Sequence, residues 1–330
     1  MRIKKILTFR ASSIGDSLMG KYLLENIRAA FPGARLALAV SSRISMMRDL
    51  FAAYPWLEVI EANKRPRSLL ALFARGRNDV VVTPYTGGVF SLFPKIAARF
   101  LARSLLGYAD RSAGTRFLYT KLIPLFGRTR APRLLETDAL VALNMPVPVT
   151  QPSFIYLPQP HLLERLGLRE KKYIVLHLFS GGDARGLPPE RRQALVRALA
   201  DVLPVDMKLA LTGSKGERES LEKNLPPSAV SVDTSLQELA ALIDRAALIV
   251  SLDTGAAHIA AHLRKPLVVL ASCVGVQWWS KDMYGADIPS VLLTRLDVCK
   301  SGHDYSGFAK CLEAIDVHEV AETTARLVQR

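Results

Sequence analysis

Short apolar runs alternate with amphipathic stretches along the whole chain. The runs have the length and β-branched content of strands buried on both faces of a parallel sheet. They lie at 5–9, 36–40, 80–83, 173–179, 208–212, 247–250 and 267–271. Between them, apolar side chains recur at helical spacing, as in 18–30 and 235–246. Strands that alternate with helices predict an α/β fold built on parallel sheets.

A stretch without periodicity divides the chain near its middle. Five prolines punctuate it: Pro146, Pro148, Pro152, Pro158 and Pro160. The charge changes at the same place, because residues 1–150 hold 23 Lys and Arg against 9 Asp and Glu, whereas residues 151–330 hold 21 of each. A chain of 330 residues is also longer than one typical core requires. We predict two domains, at 1–155 and 156–330.

The charge asymmetry bears on the choice of partner. The formal net charge of +14 lies entirely in the first half, and such a field attracts nucleic acid, a membrane surface or an acidic glycolipid. Solubility is the simpler explanation, but it does not require the other half to be neutral. The apolar runs are shorter than the ~18 residues of a membrane span, and the amino terminus lacks the pattern of a secretory leader. We therefore expect a cytoplasmic protein.

The stretch LIVSLDTGAAHIAAHLRKP, at 248–266, predicts a ligand site. A strand is followed by a small polar loop and a helix, and Asp253 or Thr254 is a potential helix cap. Gly255 and Ala256 leave the first helical turn open. A helix amino terminus at the carboxyl end of a parallel strand favours an anion such as a diphosphate. The alternative is an ordinary capped helix in an α/β core.

A second polar loop, SSIGDS, follows the first predicted strand. Ser12, Ser13 and Gly15 are small and leave space for a substrate, while Asp16 stands where a helix begins. Asp16 is either the helix cap, which is the commonest role of an aspartate in this position, or a general base.

Two further polar loops follow predicted strands of the second half. The loop at 180–190 contains three glycines and Arg185, whose guanidinium suits a phosphate. The loop at 213–217 contains Lys215 and Glu217, which face a common ligand site if the strands are parallel neighbours and otherwise cap a helix. A parallel sheet would gather these loops and the DTGAAH loop along one edge, where we expect the binding pocket.

The basic segment 90–106 predicts an amphipathic helix. Lys95, Arg99 and Arg103 are spaced four residues apart, which places them on one helical face. Such a face suits an anionic membrane or a phosphorylated acceptor, although most charged faces are simply solvated.

Three cysteines do not form a disulfide framework and are typical of a reducing compartment. Cys299, His303 and Cys311 are potential metal ligands, but their spacing matches no standard zinc finger and a fourth ligand is missing. We therefore predict no metal site and no cofactor.

Two motifs together, SSIGDS in the first half and DTGAAHIAA in the second, resemble the glycosyltransferase family 9 heptosyltransferases of lipopolysaccharide core assembly. The resemblance extends over the opening at 10–40, the strand and loop at 173–186, GSKGE and the stretch 252–266. It implies a GT-B architecture, in which two Rossmann-like domains with parallel sheets face a central cleft. The first domain then binds the acceptor, and the second binds the nucleotide sugar.

The resemblance also implies roles for individual residues. Asp16 matches the family's proposed catalytic base, and we predict that the acceptor is bound by Ser12, Ser13, Gly15, Lys95, Arg99 and Arg103. Donor binding is implied for Arg185, Lys215, Glu217, Asp253, Thr254, Gly255, Ala256 and His258. Arg185 stands where family members usually carry a lysine, and its loop lacks the Lys-x-Trp-Pro sequence that many members show. The identity of the sugar therefore stays open.

We accordingly expect an inverting, metal-independent glycosyltransferase. Asp16 would remove the proton from an acceptor hydroxyl that attacks the anomeric carbon of a nucleotide sugar, with ADP-heptose as the first candidate. The helix amino terminus near Thr254 would stabilise the leaving diphosphate. The expected acceptor is the lipopolysaccharide core or a related anionic glycolipid, met by peripheral contact at the cytoplasmic face of the inner membrane.

Two other classes of function remain open. One is a nucleotide-sugar epimerase of similar two-domain build, and the other is a non-catalytic binder of anionic lipid or nucleic acid. The positive half has few aromatics arranged for base stacking and no recognisable nucleic-acid motif, so we expect no nucleic acid. A dehydrogenase is disfavoured because no G-x-G-x-x-G follows the first strand.

Overall fold

The computed structural model describes most of the chain, namely residues 3–10, 13–63, 65–83, 92–108, 113–123, 131–222, 224–285, 288, 290–299, 303 and 305–329. The chain divides into two compact units, Met1–Pro152 and Ser153–Arg330. Each unit has its own parallel sheet and its own set of helices. Within the described residues, no helix combines the length and the hydropathy that crossing a bilayer requires.

The first unit is built on a parallel sheet. Its strands are β1 (Lys5–Arg10), β2 (Arg35–Val40), β3 (Leu57–Glu61), β4 (Asn78–Val82), β5 (Ala102–Tyr108) and β6 (Lys121–Ile123). The neighbour order is β3-β2-β1-β4-β5-β6. β1 is central, and all its residues from Ile6 onward are buried, which explains why its sequence is a nearly continuous apolar run.

Helices connect the strands of the first unit. They are α1 (Ile14–Ala30), α2 (Ile44–Leu50), α3 (Pro66–Ala74), α4 (Leu92–Leu101) and α5 (Pro132–Ala142). α1 follows β1 directly and packs against α5, and its apolar side chains Leu18, Leu23 and Ile27 are fully buried. The helical spacing in the sequence therefore marks the face that covers the core.

The helix predicted over 90–106 is shorter than expected. It corresponds to α4, which ends at Leu101, and the chain continues at once as β5. Leu105 and Leu106 are buried in the pairing of β5 with β4. Burial in the sheet outweighs the helical spacing of the charges, because tertiary context overrides such local patterns.

The charged face predicted for this segment is consequently wrong. Lys95 is on α4 but only 3% exposed. Arg103 lies on β5, where its guanidinium is 3.7 Å from the carboxylate of Asp79. Arg99 is partly exposed, and its guanidinium donates to the carbonyl of Ala102 at 3.3 Å. Acceptor binding by these three residues stays a prediction for each separately, but they do not form one helical face.

The second unit repeats the architecture. Its strands are β7 (Tyr173–His177), β8 (Lys208–Leu211), β9 (Ala229–Ser231), β10 (Leu248–Leu252), β11 (Leu267–Leu270) and β12 (Ser290–Leu293), in the order β12-β11-β10-β7-β8-β9. Its helices are α6 (Leu162–Arg165), α7 (Pro189–Val202), α8 (Lys215–Glu222), α9 (Leu236–Arg245), α10 (Gly255–His262), α11 (Lys281–Tyr284), α12 (Lys310–Glu313) and α13 (Val317–Val328). α7 and α13 pack together over a core that includes Leu195, Val250 and Val320.

Both sheets have the same neighbour order relative to the chain. The order reverses beside the first strand of each unit, between β1 and β4 and between β7 and β10. In open parallel sheets, ligands bind outside the carboxyl ends of the strands at such a switch point. The α/β prediction is confirmed, and the topology assigns one candidate ligand edge to each unit.

Candidate functional site

The switch point of the second unit brings three predicted loops together. β10 pairs in parallel with β7, and β7 pairs in parallel with β8 on its other side. The polar loops after these strands therefore lie along one edge of the sheet, as the sequence predicts. This edge is the candidate ligand site of the second unit.

The loop after β10 leaves the first turn of α10 without a side-chain cap. Thr254 occupies the N-cap position, but its hydroxyl lies 3.1 Å from Ser251 Oγ and makes no capping hydrogen bond. The predicted capping by Asp253 or Thr254 is therefore wrong. Gly255 is partly exposed, whereas Ala256 and Ala257 are buried, and the uncapped N–H groups of such a turn favour an anion.

The Asp253 carboxylate is held by residues that follow β11. Trp279 Nε1–H donates to Asp253 Oδ1 at 3.0 Å, and the Asp253 side chain is only 9% exposed. A Cβ built on Gly275 would lie 2.0 Å from Asp253 Oδ2. Glycine is therefore needed at 275 for the carboxylate to keep this position.

His258 connects Asp253 to Tyr284 inside an aromatic cluster. Its ring stacks on Trp279 with centroids 4.9 Å apart, its Nε2 lies 3.5 Å from Asp253 Oδ1, and its Nδ1 lies 2.6 Å from the Tyr284 hydroxyl. Burial raises the pKa of Tyr284 well above its ordinary value, and Asp253 adds to the shift. Tyr284 therefore keeps its hydroxyl proton, and the tautomer of His258 decides which of the two groups donates in this hydrogen bond.

These contacts define what Asp253 and His258 do in the protein itself. Both side chains anchor the loop that opens α10 to the segment following β11. Their direct contact with a donor stays a prediction, as does that of Thr254, Gly255 and Ala256. Sequence analysis missed Trp279 and Tyr284, because nothing in their local sequence distinguishes them from core aromatics.

The glycine-rich loop after β7 presents Arg185. It ends the short turn Asp183–Arg185, and its side chain is exposed. Among the described residues, no acidic side chain forms an ion pair with Arg185, so its guanidinium is available to an anion. Its contact with donor phosphates stays a prediction.

Arg192 is a candidate donor-binding residue that sequence analysis missed. Its Nε–H donates to the Leu187 carbonyl at 2.8 Å, and its guanidinium lies over the Phe179 ring, 5.1 Å from the centroid. Burial lowers the pKa of Arg192. A signal was present in the sequence, because a cation in the first turn of a helix such as α7 opposes the helix dipole.

The predicted pair Lys215 and Glu217 separates in the structure. Glu217 Oε2 accepts hydrogen bonds from the backbone N–H and the hydroxyl of Ser214, at 2.8 and 2.7 Å, at the start of α8. Glu217 thus takes the capping alternative. Lys215 is exposed and lies 3.9 Å from Glu219. Contact of either residue with a donor stays a prediction.

His177 ends β7 at the same edge. Its Nδ1 lies 3.0 Å from Thr212 Oγ1, and the Thr212 hydroxyl donates to the Leu176 carbonyl at 3.3 Å, so Nδ1–H donates to the threonine oxygen. Desolvation lowers the pKa of His177 to about 4, against an opposing effect of Glu217. His177 is therefore neutral at physiological pH.

Asp16 lies at the corresponding edge of the first unit. Ser13 is the N-cap residue of α1: its Oγ accepts from the Asp16 N–H at 3.2 Å, and its hydroxyl donates to Asp16 Oδ2 at 2.7 Å. Asp16 is thus not the cap itself, and its side chain is partly exposed. Gly15 is buried, and Ser12 lies outside the described residues.

A buried ion pair underlies this edge. Arg10, the last residue of β1, donates to Glu136 Oε1 of α5 at 2.5 Å, and both side chains are inaccessible to solvent. Burial outweighs the effect of Arg10 and raises the pKa of Glu136 to about 7, with a contribution from the charge of Asp16. Asp16 therefore shares the electrostatic environment of this pair, which sequence analysis did not identify.

Comparison with known families decides the class of the protein. Residues 136–271 match glycosyltransferase family 9 (heptosyltransferase). Residues 136–271 of the chain are therefore similar to glycosyltransferase family 9. The matched segment includes β7, β8 and β10 together with α10, and so contains the ligand edge described above. The resemblance inferred from the two motifs is confirmed, and with it the prediction of a glycosyltransferase.

Solved structures of the same fold match almost the whole chain. An E. coli ADP-heptose lipopolysaccharide heptosyltransferase II is 20% identical with a TM-score of 0.72, and the match covers 98% of each chain. A family 9 glycosyltransferase from Veillonella parvula DSM 2008 is 17% identical with a TM-score of 0.74, covering 100% of this chain and 99% of that one. E. coli heptosyltransferase WaaC, solved with ADP-2-deoxy-2-fluoro heptose, is 18% identical with a TM-score of 0.67, covering 97% and 99%.

These similarities confirm the predicted GT-B type of fold. A search of curated proteins found no match to the sequence. The family 9 match does not favour the epimerase or the non-catalytic binder. The individual donor-binding and acceptor-binding residues stay predictions.

Proposed function

We propose that this family 9 glycosyltransferase transfers heptose from ADP-heptose to the lipopolysaccharide core, or to a related anionic glycolipid, with inversion at the anomeric carbon. The observation that carries the proposal is the uncapped first turn of α10 at the switch point of the second sheet. A helix terminus of this kind binds a diphosphate through backbone N–H groups, without a metal ion.

The donor binds at this edge of the second unit. First-turn amides near Gly255 hold the diphosphate, and the exposed Arg185 adds a charge-assisted contact to its oxygens. ADP-heptose is the first donor to test because the similar E. coli WaaC was solved with an ADP-heptose analogue. The Asp253–Trp279–His258 contacts keep the loop in the binding conformation.

The chemistry assigned to the first unit is proton removal. The Asp16 carboxylate takes the proton of an acceptor hydroxyl while the hydroxyl oxygen bonds to the anomeric carbon. The bond from that carbon to the diphosphate breaks, and the nucleoside diphosphate leaves with the electron pair. Attack opposite the leaving group inverts the anomeric carbon. The Ser13 hydroxyl, which donates to Asp16 Oδ2, orients the carboxylate.

The acceptor side of the proposal rests on charge. All of the formal net charge of +14 lies within residues 1–150, and an anionic glycolipid at a membrane surface is attracted by such a field. The proposed place of action is therefore the cytoplasmic face of the inner membrane, with peripheral contact.

Two substitutions test the separate roles of the two units. Asp16→Asn keeps the size of the side chain but removes the base, so turnover should fall by roughly 100-fold or more while donor affinity is kept. Arg185→Ala should weaken donor binding by about 10- to 100-fold, because a charge-assisted hydrogen bond is lost. Calorimetry with ADP-, UDP- and GDP-sugars measures binding, and product formation with a core glycolipid measures turnover.

One acidic and one basic residue outside the proposed site serve as matched controls for these two substitutions. Glu58→Gln changes an exposed acid on β3 that pairs with Arg75, and Arg197→Ala changes an exposed cation on α7. Both variants should have unchanged kinetics. Normal turnover in Asp16→Asn would remove Asp16 from the mechanism. Preference for UDP- or GDP-sugars would overturn the donor assignment, and consumption of donor without acceptor would indicate an epimerase.

A further inference from the structure

Four metal-ligating side chains converge in the carboxyl-terminal part of the second unit. They are Cys273, Cys299, His303 and Cys311, and their ligand atoms all lie within 4.8 Å of one another. The sequence offers three of them close together, and the structure supplies the fourth. Cys273 follows β11, which topology places beside the segment that carries the other three. The expectation that the fourth ligand is missing is therefore wrong.

The dimensions of the cluster fit a single metal ion. A tetrahedral zinc ion with Zn–S bonds of about 2.3 Å has ligands roughly 3.8 Å apart. His303 Nδ1 lies 3.1 Å from Cys273 Sγ and 3.8 Å from Cys299 Sγ, so both distances are close to that edge length. All three cysteines are free thiols in the structure. No two ligand atoms are more than 4.8 Å apart, so a contraction of at most about 1 Å brings any pair to the tetrahedral edge length.

The histidine is oriented as a ligand by a contact on its far side. His303 Nε2 lies 2.7 Å from the Ala184 carbonyl, which accepts hydrogen bonds only, so the proton of the ring is on Nε2. The lone pair is then on Nδ1, the atom that faces the sulfurs. A carbonyl that fixes the tautomer in this manner is the usual outer partner of a metal-bound histidine.

Packing alone explains the sulfurs but not the imidazole. Cys311 is fully buried, and Cys273 and Cys299 pack against the same core, as small apolar residues do. A histidine with its acceptor nitrogen directed at three thiols has no such explanation. The mixture of three sulfurs and one nitrogen is instead a donor set that zinc prefers in closed sites.

We propose that Cys273, Cys299, His303 and Cys311 bind one structural Zn²⁺ ion. All four positions of the tetrahedron are filled by protein, so the ion takes no part in the transfer reaction. It joins the segment after β11, the turn Leu296–Cys299, His303 and α12. Through the Ala184 carbonyl, it also fixes the turn that carries Arg185.

Metal analysis of the untagged full-length protein, purified under reducing conditions without chelator, tests the proposal. We expect about one zinc ion per chain. A mercurial reagent that titrates the thiols should release this ion, and a metallochromic dye measures the release. Replacement by Co²⁺ should give the visible absorption of a tetrahedral thiolate site. These measurements use the wild-type chain, so the result does not depend on whether a variant folds.

Variants locate the ion. His303→Ala should weaken zinc binding by more than roughly 100-fold, since loss of even an outer partner typically costs 10- to 100-fold. Cys273→Ser should weaken zinc binding in the same way, because it removes a thiolate ligand. Both residues are partly exposed, so the fold should tolerate the two substitutions. His303→Cys should restore zinc through four sulfurs but lose the contact with Ala184. His161→Ala, at a histidine whose exposed side chain lies 3.5 Å from Glu164 and far in sequence from the four ligands, should keep the full metal content.

Three results would overturn the proposal: a metal-free protein whose three thiols all react in the native state, a mass that shows a disulfide, or iron bound in place of zinc. Zinc retained by His303→Ala at wild-type affinity would do the same. Metal content does not depend on the proposed function. The contact between His303 and the turn that carries Arg185 is the one part of the proposal that rests on the proposed function. It predicts that His303→Cys binds the donor more weakly while it still binds zinc.

Discussion

At the scale of single residues, Trp279 stabilises the ligand edge of the second unit through its contact with the loop before α10. Its indole N–H donates to Asp253, whose carboxylate is almost inaccessible to solvent. A buried acceptor that loses its donor costs more than the bond itself contributes, because the desolvated group stays unpaired. The position of the loop before α10 therefore depends on a residue that follows β11.

Trp279→Phe keeps an aromatic side chain, although a smaller one, and removes this donor. We expect the free energy of unfolding to fall by about 1–3 kcal/mol and donor binding to weaken. Chemical denaturation and calorimetry measure the two effects. Trp278→Phe is the matched control, since Trp278 contacts His258 edge to face. Equal losses in both variants would show that ring packing, rather than the hydrogen bond, stabilises the loop.

His177 predicts part of the dependence of stability on pH. Its pKa is about 4 in the folded protein, below the ordinary value of about 6.5, so between these values the unfolded chain binds more protons. The stability that neutral His177 contributes is present above pH about 6.5 and is lost as the pH falls towards 4. In His177→Gln this loss is absent.

The measurement is the free energy of unfolding of wild type and His177→Gln from pH 7 to pH 4. The difference between the two proteins should become smaller as the pH falls, because only the wild type loses this contribution. His318→Gln, at an exposed position of α13, should follow the wild-type curve. Parallel curves for His177→Gln and wild type would contradict the lowered pKa.

Residue chemistry was predictable from the sequence where it depends on neighbours along the chain. The loop residues Asp16, Arg185 and Gly255 lie at strand ends as expected, because small polar residues after an apolar run are a local signal. Trp279 and Cys273 were not predictable, since what matters about them is a partner that only the order of β10, β11 and β12 brings close.

At the scale of elements, α9 shows how a helix start contributes to the site. Ser235 and Glu238 form a capping box: Ser235 Oγ accepts from the Glu238 N–H at 3.2 Å, and Glu238 Oε2 accepts from the Ser235 N–H at 2.9 Å. α9 leads directly into β10, so its position determines where the loop before α10 begins.

Ser235→Ala should lower the free energy of unfolding by about 1 kcal/mol, because the first turn of α9 loses its cap. Ser220→Ala, in which an exposed hydroxyl within α8 is removed, should change it by less than about 0.5 kcal/mol. Urea denaturation of the three proteins gives both values. A similar effect at both serines would mean that the capping box contributes nothing specific.

Four of the five strands that sequence analysis missed, β3, β6, β9 and β12, lie at sheet edges. β6 and β9 have three residues each and lie at sheet edges, where little apolar sequence is needed because only one side is paired. β5 was missed for another reason: its leucines were assigned to the preceding helix, and only pairing with β4 shows that they are buried. The central strands were predictable because burial on both faces leaves a continuous apolar run.

At the scale of the whole molecule, the distribution of charge gives a prediction about membranes. The first unit carries the positive excess, and binding to anionic lipid gains roughly 1 kcal/mol per basic residue near the surface. We expect the protein to sediment with vesicles that contain anionic lipid and to dissociate as salt is raised, because added ions screen the attraction.

Charge reversals in the two units test whether vesicle binding depends on where a positive charge lies or only on the net charge of the protein. Arg116→Glu in the first unit and Arg197→Glu in the second change an exposed arginine in the same way. Vesicle binding should weaken clearly in the first variant and little in the second. Equal weakening, or binding to neutral vesicles, would contradict a role for the first unit in membrane contact.

The neighbour order of the sheets also has a consequence for synthesis on the ribosome. The strands of the first sheet are complete once residue 123 has emerged, so that unit folds while the second is still being made. β7 lies at the centre of the second sheet, yet its partner β10 appears only with residues 248–252. A nascent chain that pauses before this point exposes one side of β7 as an unpaired strand edge. We expect translation pauses between β7 and β10 to make the nascent protein prone to aggregation.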